Sequence, residues 1–508
     1  MPIDARMRAQ INLILDSFPD AAAHPEISLW DNLDVDDVEY IYRKQTILVR
    51  AQDAARVADA IDAILEREGY REPPESDQPS EGDQPSEGDQ PSEGDQRSEG
   101  DQRSEGRRRR RYGQDRVRAT RRVVTLTLPD TGISVPAILN ALDDDLGPGL
   151  ATPDHILYVC PQSCPATEPI EVPAGTVDPV PPPGLNARGR HPGGGAYRPE
   201  CDGNGVVLSI VDTGLIPDAA AGHPWLTGVD GTEEQPYAVD SNGDVVVDSN
   251  GDPMIVPYAG HGTFVAGVAR CMAPKAAAYV ERAFDIAGAN YETMLPASLE
   301  DALDRDPDIL VFTFCTSTRL DQSLITFDDF FETRIRYMKG LLVVAPAGND
   351  GHDRPMWPAA YPEVLSVGAL SANWRDRAWF SNYGKWVDVY APGQDLINAF
   401  PAGDYVCTEP PVGQHRMFHG MAKWNGTSFS TPIVAGLVAA RMSATGENAR
   451  QAADSLLRLA CRQTVPGVGA VLYPGQACDD GDGECGCGRE SCGCDCCGGG
   501  SRHHRRSR

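Results

Sequence analysis

From Gly205 to Cys461, short apolar runs alternate with helical patterns, and that alternation limits the fold more than any other feature of the chain. The runs are "GVVLSIVD", "AAAYVERAF", "DILVFTF", "GLLVVAPAG" and "VLSVGAL". Each is apolar almost throughout rather than at every second residue, as a strand covered on both faces has to be. Strands of this kind separated by helices imply an α/β domain with a mostly parallel sheet flanked by helices. At 508 residues the chain exceeds what one core usually serves, so further folded units are expected.

Upstream, residues 1–43 read as an N-terminal helical segment and residues 44–160 as a small α+β domain of two β-α-β halves, ferredoxin-like in outline. "KQTILVRA" is a strand, and "DAARVADAIDAILEREG" is a helix with Asp53 as its cap and Val57, Ile61, Ile64 and Leu65 on one face. "RRVVTLTLP" alternates as a strand, "SVPAILNALDDDL" is helical from a Ser134 cap, and "HILYV" is a short strand. This domain is interrupted at 75–116 by a six-residue polar repeat, DQPSEG passing into DQRSEG. That stretch leads into nine Arg between Arg107 and Arg122. Such a repeat buries too little apolar surface to offset ordering entropy and is expected to be disordered. The Arg block could meet an acidic partner, or simply balance the acidic repeat beside it.

Residues 161–202, rich in Pro and then Gly, are expected to form an exposed, nickable linker, residues 203–465 the main domain, and residues 466–508 a disordered Cys- and Arg-rich tail. Seven of the 14 cysteines fall between Cys478 and Cys497. Their spacing does not match paired C-x-x-C zinc ligands, and the scattered remainder has no regularity of a disulfide framework. The net charge of −29 argues against nucleic acid as a general partner. No signal peptide and no apolar run of membrane-spanning length is seen, so the cytoplasm is the expected location, with secretion by another route the alternative.

Three short strings carry residues suited to chemistry. "VVLSIVDTG" ends an apolar strand in Asp212, at the edge where open α/β sheets gather their active groups. "GHGTFVAGVA" sets His261 between glycines at a helix start. "WNGTSFSTPIVAG" offers four hydroxyls, Thr427, Ser428, Ser430 and Thr431, ahead of a small-residue helix. Read alone, each is as well explained by capping as by catalysis.

In the order Asp, His, Ser, these motifs resemble the subtilisin-like (subtilase) serine peptidases. The similarity extends over roughly residues 203–460 through "APAGNDG", "WPAAYPEVLSVGAL" and "FSNYGKWVDVYAPG". The resemblance implies Ser428 as nucleophile, His261 as base, Asp212 as its orienting carboxylate and Asn349 as an oxyanion donor. It also implies an extended substrate, protein or peptide, lying along Thr313, Phe314 and Cys315 on one side and Ala345, Pro346, Ala347 and Gly348 on the other. Cys315 stands where the family often has Gly, Pro346 lies beside the expected pocket wall, and Ile433 replaces a common His. The small α+β domain then resembles a propeptide, an intramolecular inhibitor whose carboxyl end occupies the cleft.

No cofactor is required by this reading and no metal ligands are assigned. The repeated "DSNGD" between Asp240 and Asp252 has oxygens at alternate positions, as calcium would need. It lacks the closing Glu, and its Asn-Gly pairs read as a surface β-hairpin. Calcium is therefore compatible with the family but maps onto no residue.

Overall fold

The computed structural model describes residues 5–24, 38–70, 122–159, 167–175, 178–188, 200–284 and 286–479. The polar repeat, most of the Arg block and the Cys-rich end of the tail lie outside the described residues. The chain divides into two units, Lys44–Pro153 and Met1–Arg43 with Asp154–Arg508. Among the described residues no helix is long and apolar enough to cross a membrane.

Within Met1–Arg43, helix α1 (Ala5–Ser17) is followed by strand β1 (Ala21–His24), which pairs antiparallel with the start of β2 (Tyr40–Arg50). The segment is thus helix plus strand rather than helical throughout. In Lys44–Pro153, β2 continues and pairs antiparallel with β3 (Val123–Thr127), with Val49 opposite Val124. Helices α2 (Ala54–Arg67) and α3 (Val135–Leu146) pack together. Val57, Ile61, Ile64 and Leu65 of α2, the face periodicity predicts, are buried, and so are Ile138, Leu139 and Leu142 of α3. Ser134 caps α3 by accepting from the Ala137 N–H, whereas the Asp53 side chain makes no capping bond to α2.

The larger unit is built on a seven-stranded parallel sheet. In spatial order its strands are β14 (Val389–Pro392), β13 (Val364–Leu370), β12 (Leu342–Pro346), β11 (Ile309–Phe312), β6 (Val207–Asp212), β9 (Ala277–Arg282) and β7 (Val229–Gly231). Successive residues feed opposite layers: Leu208, Ile210, Ile309 and Val311 enter one apolar cluster, and Val211, Leu310 and Phe312 enter the other. This is why the strands are apolar at consecutive positions. Helix α4 (His261–Met272) and helix α5 (Thr427–Thr445) lie together on the first face. They approach so closely that a Cβ on Gly436 would stand 2.5 Å from the Met272 Cβ.

Four expectations need correction. The linker region is not simply exposed. β5 (Ile170–Glu171) pairs with β16 (His415–Trp424), and Glu168 is buried, accepting from the Tyr405 hydroxyl and the Thr408 amide. The tail is packed as far as Cys478, with Val471, Leu472 and Ala477 buried. The irregular cysteine spacing hides a Cys201–Cys478 disulfide across a sequence separation of 277. The single hairpin is two: bridges Val239–Val245 and Val247–Pro253 close successive turns.

In those turns the Asp240 and Asp248 carboxylates accept amides of their own loops, from Asn242 and Asp244 and from Asn250 and Asp252. The described residues hold no group of three or more His, Cys, Asp or Glu arranged for a metal ion.

The disulfide ties both ends of the main domain. Cys201→Ser is expected to lower unfolding stability by about 2–5 kcal/mol. Thermal melts of wild type with and without reductant, beside the variant, check this: reductant should bring wild type down toward the variant.

Candidate active site

The parallel sheet brings Asp212 to the carboxyl end of its fifth strand, β6, between β11 and β9. There the chain has to leave the strand without a bulky turn, and Gly214 does so with φ of 99°. A Cβ on Gly262 would meet the Gly214 carbonyl oxygen at 2.4 Å, so the strand end and the start of α4 pack backbone to backbone. That contact sets His261, the first residue of α4, beside Asp212. Its Nδ1 lies 2.7 and 2.9 Å from the two Asp212 carboxylate oxygens. Its Nε2 lies 3.1 Å from Ser428 Oγ. The imidazole is walled by Trp424 and Phe429, at centroid distances of 5.7 and 5.2 Å. All three side chains are fully buried.

Ser428 is the second residue of α5, inside its first turn rather than ahead of it. Amides at that end of a helix have no intrahelical acceptor, and the dipole favours negative charge beside them. Gly426 keeps the nucleophile uncrowded, since a Cβ there would stand 3.0 Å from Ser428 Oγ.

Asn349 is held from the same turn. Its Oδ1 accepts from the Thr427 N–H and the Thr427 hydroxyl, both at 2.9 Å, and Thr427 Oγ1 in turn accepts from the Gly348 N–H at 3.2 Å. These bonds fix the rotation of the amide, so that its Nδ2 donor is presented on the opposite side. Thr427, read from sequence as a capping or packing group, is the residue that orients Asn349. The other two hydroxyls do less: Thr431 donates to the Thr427 carbonyl, and Ser430 Oγ has no hydrogen-bond partner among the described residues.

A hydroxyl, an imidazole and a carboxylate in series can move a proton from oxygen to nitrogen while the carboxylate holds the ring. Family comparison bears on which proteins use such a series. Residues 203–467 match the model of the subtilase family. The chain belongs to the subtilase family.

The resemblance drawn from the motifs is thereby borne out, and the matched domain is that of a subtilisin-like serine peptidase. The chain is 32% identical over 259 residues to a thermophilic serine proteinase of Bacillus sp. strain AK1, covering 48% of this chain and 54% of that one. It is 29% identical to thermitase of Thermoactinomyces vulgaris, covering 49% of this chain and 78% of the relative. It is 28% identical to subtilisin Savinase of Lederbergia lenta, covering 47% and 76%. The chain thus spans about half the length of the first of these relatives.

In the subtilase domain, Thr313, Phe314 and Cys315 continue β11, while Ala345 and Pro346 end β12, which Ala347 and Gly348 follow. All seven are buried. Thr313 Oγ1 donates to the Val211 carbonyl, and the Ala347 N–H donates to the Val367 carbonyl. The edge at Cys315 is occupied. Cys315 N donates to the Tyr158 carbonyl at 3.1 Å, Tyr158 N donates back at 3.4 Å, and Val159 N donates to the Gly288 carbonyl at 2.8 Å. Strand β4 (Ala151–Tyr158) also pairs antiparallel with β10 (Ala289–Tyr291) through Ile156, Leu157 and Tyr158. Leu157 and Val159 are buried in one cluster with Phe284, Phe312 and Phe314, and Ile156 and Tyr158 in another.

The root of this segment is anchored by buried ionisable groups. Asp154 accepts from the Thr293 N–H at 3.1 Å and hydroxyl at 2.8 Å. His155 Nδ1 lies 3.2 Å from Glu292 Oε2, while its Nε2 accepts from the Arg319 N–H at 3.2 Å. An Nε2 that accepts an amide leaves the ring proton on Nδ1, facing Glu292. Burial, reinforced by the Glu292 charge and opposed by the Thr293 bonds, pushes the Asp154 carboxyl up to about 7.

One carboxylate near the triad has no sequence signal. Glu234 is buried, and both its oxygens accept from the Gly260 N–H, at 3.1 and 3.0 Å. Burial raises its carboxyl to about 8, helped by the Asp212 charge and opposed by bonds from Thr213 and Gly260 and by His261.

Proposed function

We propose that this chain is a serine endopeptidase whose Ser428, His261 and Asp212 cleave peptide bonds, and that its N-terminal part restrains it. The observation that carries the first half is the unbroken series Asp212–His261–Ser428, assembled from segments 49 and 167 residues apart. A serine hydroxyl is a weak nucleophile at neutral pH and needs a base within about 3 Å. His261 takes the Ser428 proton as Oγ attacks the scissile carbonyl, then gives it to the departing amine. Asp212 holds the Nδ1 tautomer and stabilises the imidazolium. Asn349, oriented by Thr427, and the Ser428 amide receive the oxyanion.

The same groups return the enzyme to its starting state. Water takes the place of the departed amine, His261 removes its proton, and the second tetrahedral species collapses with Ser428 as leaving group.

Incubating the purified chain with a denatured protein mixture and sequencing the products by mass spectrometry tests this reading. New internal termini with wild type and none with Ser428→Ala are expected. Identical peptide maps would count against it. A single internal cut in the chain itself, with no turnover of added protein, would restrict the activity to self-processing.

Strand addition supports the second half. An extended substrate needs the Cys315 N–H and carbonyl, and Tyr158 already uses both. The segment Asp154–Val159 and a substrate therefore exclude one another, which accords with a nucleophile that is fully buried. A propeptide-like role for residues 44–160, with cleavage inside residues 165–200, is part of this proposal.

The pH dependence has a definite sign. With its folded pKa raised from 3.8 to about 7, Asp154 contributes fully to the seat below the ordinary carboxyl range, and that contribution is lost as pH rises through about 7. Wild type should melt at lower temperature at pH 8.5 than at pH 5.5, and Asp154→Asn should flatten this slope. Parallel curves for the two proteins would refute the assignment.

Because Cys201 and Cys478 are joined, we favour an oxidising compartment over the cytoplasm for this enzyme.

A further inference from the structure

Two threonine relays flank the reacting groups, and only one of them contains a residue already assigned. On the oxyanion side, the Gly348 N–H donates to Thr427 Oγ1, and the Thr427 hydroxyl and N–H both donate to Asn349. On the imidazole side, the Gly262 N–H donates to Thr213 Oγ1 at 3.1 Å, and the Thr213 side chain offsets part of the effect of burial on the Glu234 carboxyl. Glu234 stands beside this second relay and accepts from the Gly260 N–H with both oxygens. Thr213 also joins it to the carboxylate of the triad, since its own N–H donates to Asp212 Oδ1 at 2.7 Å. The amide before His261 is thus tied to the buried Glu234 carboxyl group, and the amide after it to the Thr213 hydroxyl.

The backbone there needs such a tie. Gly260 precedes the helix with φ of 77°, and a Cβ on it would meet Pro401 Cδ at 2.4 Å. Glycine takes up positive and negative φ about as readily, so the Glu234 bonds select this conformation from several open to it.

We infer that Glu234 is a positioning residue for His261: it fixes the backbone from which the imidazole projects, and its charge state governs the basicity of that imidazole. The inference rests on the triad reading above. The charged groups that bear on Glu234 are Asp212 and His261, while the nearby Arg282 guanidinium donates to the Glu233 carbonyl. With a carboxyl raised to about 8, Glu234 is the neutral acid at neutral pH and gains its charge on the alkaline side. A second negative charge beside the Asp212–His261 pair favours the imidazolium, so His261 becomes a stronger base once Glu234 ionises.

The test follows the rate at which a neutral dialkyl fluorophosphonate labels Ser428 between pH 5 and 10. It compares full-length wild type, Glu234→Gln and Glu234→Ala, with a thermal melt for each. Wild type should label a few-fold faster above an inflection near pH 8. Glu234→Gln, which keeps an acceptor for Gly260 but cannot ionise, should label at the wild-type neutral rate with no alkaline rise. Glu234→Ala should label at least tenfold more slowly at every pH.

Profiles of Glu234→Gln and wild type that superimpose would overturn the inference, even if the variant melts lower, because a purely structural role moves stability and not the inflection. Should Glu234→Ala fail to fold, the Glu234→Gln comparison decides alone. Should full-length wild type take no label at any pH, the same three proteins are compared with Leu157→Asp added to free the Cys315 edge, and no label there would instead sink the triad reading on which the inference stands.

Discussion

Replacing Ser428 by alanine is expected to reduce peptide hydrolysis by about six orders of magnitude, the cost of losing the nucleophile in subtilisin-type enzymes. The reason is local: the hydroxyl at 3.1 Å from His261 Nε2 is that of Ser428, while Thr427 is bonded to Asn349 and Thr431 to the Thr427 carbonyl. Asn349→Ala should cost less, about 10²–10³ in turnover, the range for one lost oxyanion donor in that same family rather than a value obtained from this structure. Its KM should change little, since the oxyanion exists only after attack. Burst and steady-state kinetics on one peptide ester separate these effects. A Ser428→Ala variant that keeps even a hundredth of the activity would mean that the nucleophile is elsewhere.

The second large effect runs in the other direction. Leu157 and Val159 are both wholly buried, and each contributes about 1.5–3 kcal/mol through apolar burial. Placing a carboxylate at either position removes that contribution and adds the cost of an unpaired charge in an apolar layer. A loss of about 3 kcal/mol shifts the ratio of occupied to open cleft by about 10². Leu157→Asp and Val159→Asp should therefore hydrolyse added peptide far faster than wild type, provided that wild type retains residues 44–160.

Val159→Ala, which only removes contacts, should give a smaller rise of the same sign. Variants that fold, by near-UV circular dichroism, yet turn over peptide at the wild-type rate would show that Asp154–Val159 does not restrain the enzyme.

These two effects differ in how far they could be read from sequence. Asp212, His261, Ser428 and Asn349 are legible because each sits in a string whose neighbours are dictated by the same geometry. Gly214 and Gly262 let strand and helix touch, Gly426 clears Ser428 Oγ, and Thr427 turns Asn349. The parallel sheet was legible for a related reason: burial on both faces forces consecutive apolar residues, as Val211 and Ile210 show by entering opposite layers.

What escaped depends on contacts that leave no local mark. Glu234 sits in "GTEEQ" beside the exposed Glu233 and is 26 residues from the amide it holds. The occupied edge at Cys315 uses main-chain groups of Tyr158 and Val159, and a backbone bond constrains side-chain identity only weakly. Cys201 and Cys478 come together only when the whole main domain has folded, so their pairing could not be read from spacing. The Pro-rich stretch looked like linker because its anchors, Glu168 and Thr167, find their partners in β15 (Leu396–Val406), the loop after it and β16, at Tyr405, Thr408 and Trp424.

The most direct measurement of the central claim is the site of covalent modification by a fluorophosphonate, mapped by tandem mass spectrometry on wild type and on the strand-releasing Leu157→Asp variant. The account predicts one adduct, on Ser428, forming faster in Leu157→Asp and absent from Ser428→Ala. An adduct on any other residue, or none in the released variant, would contradict it.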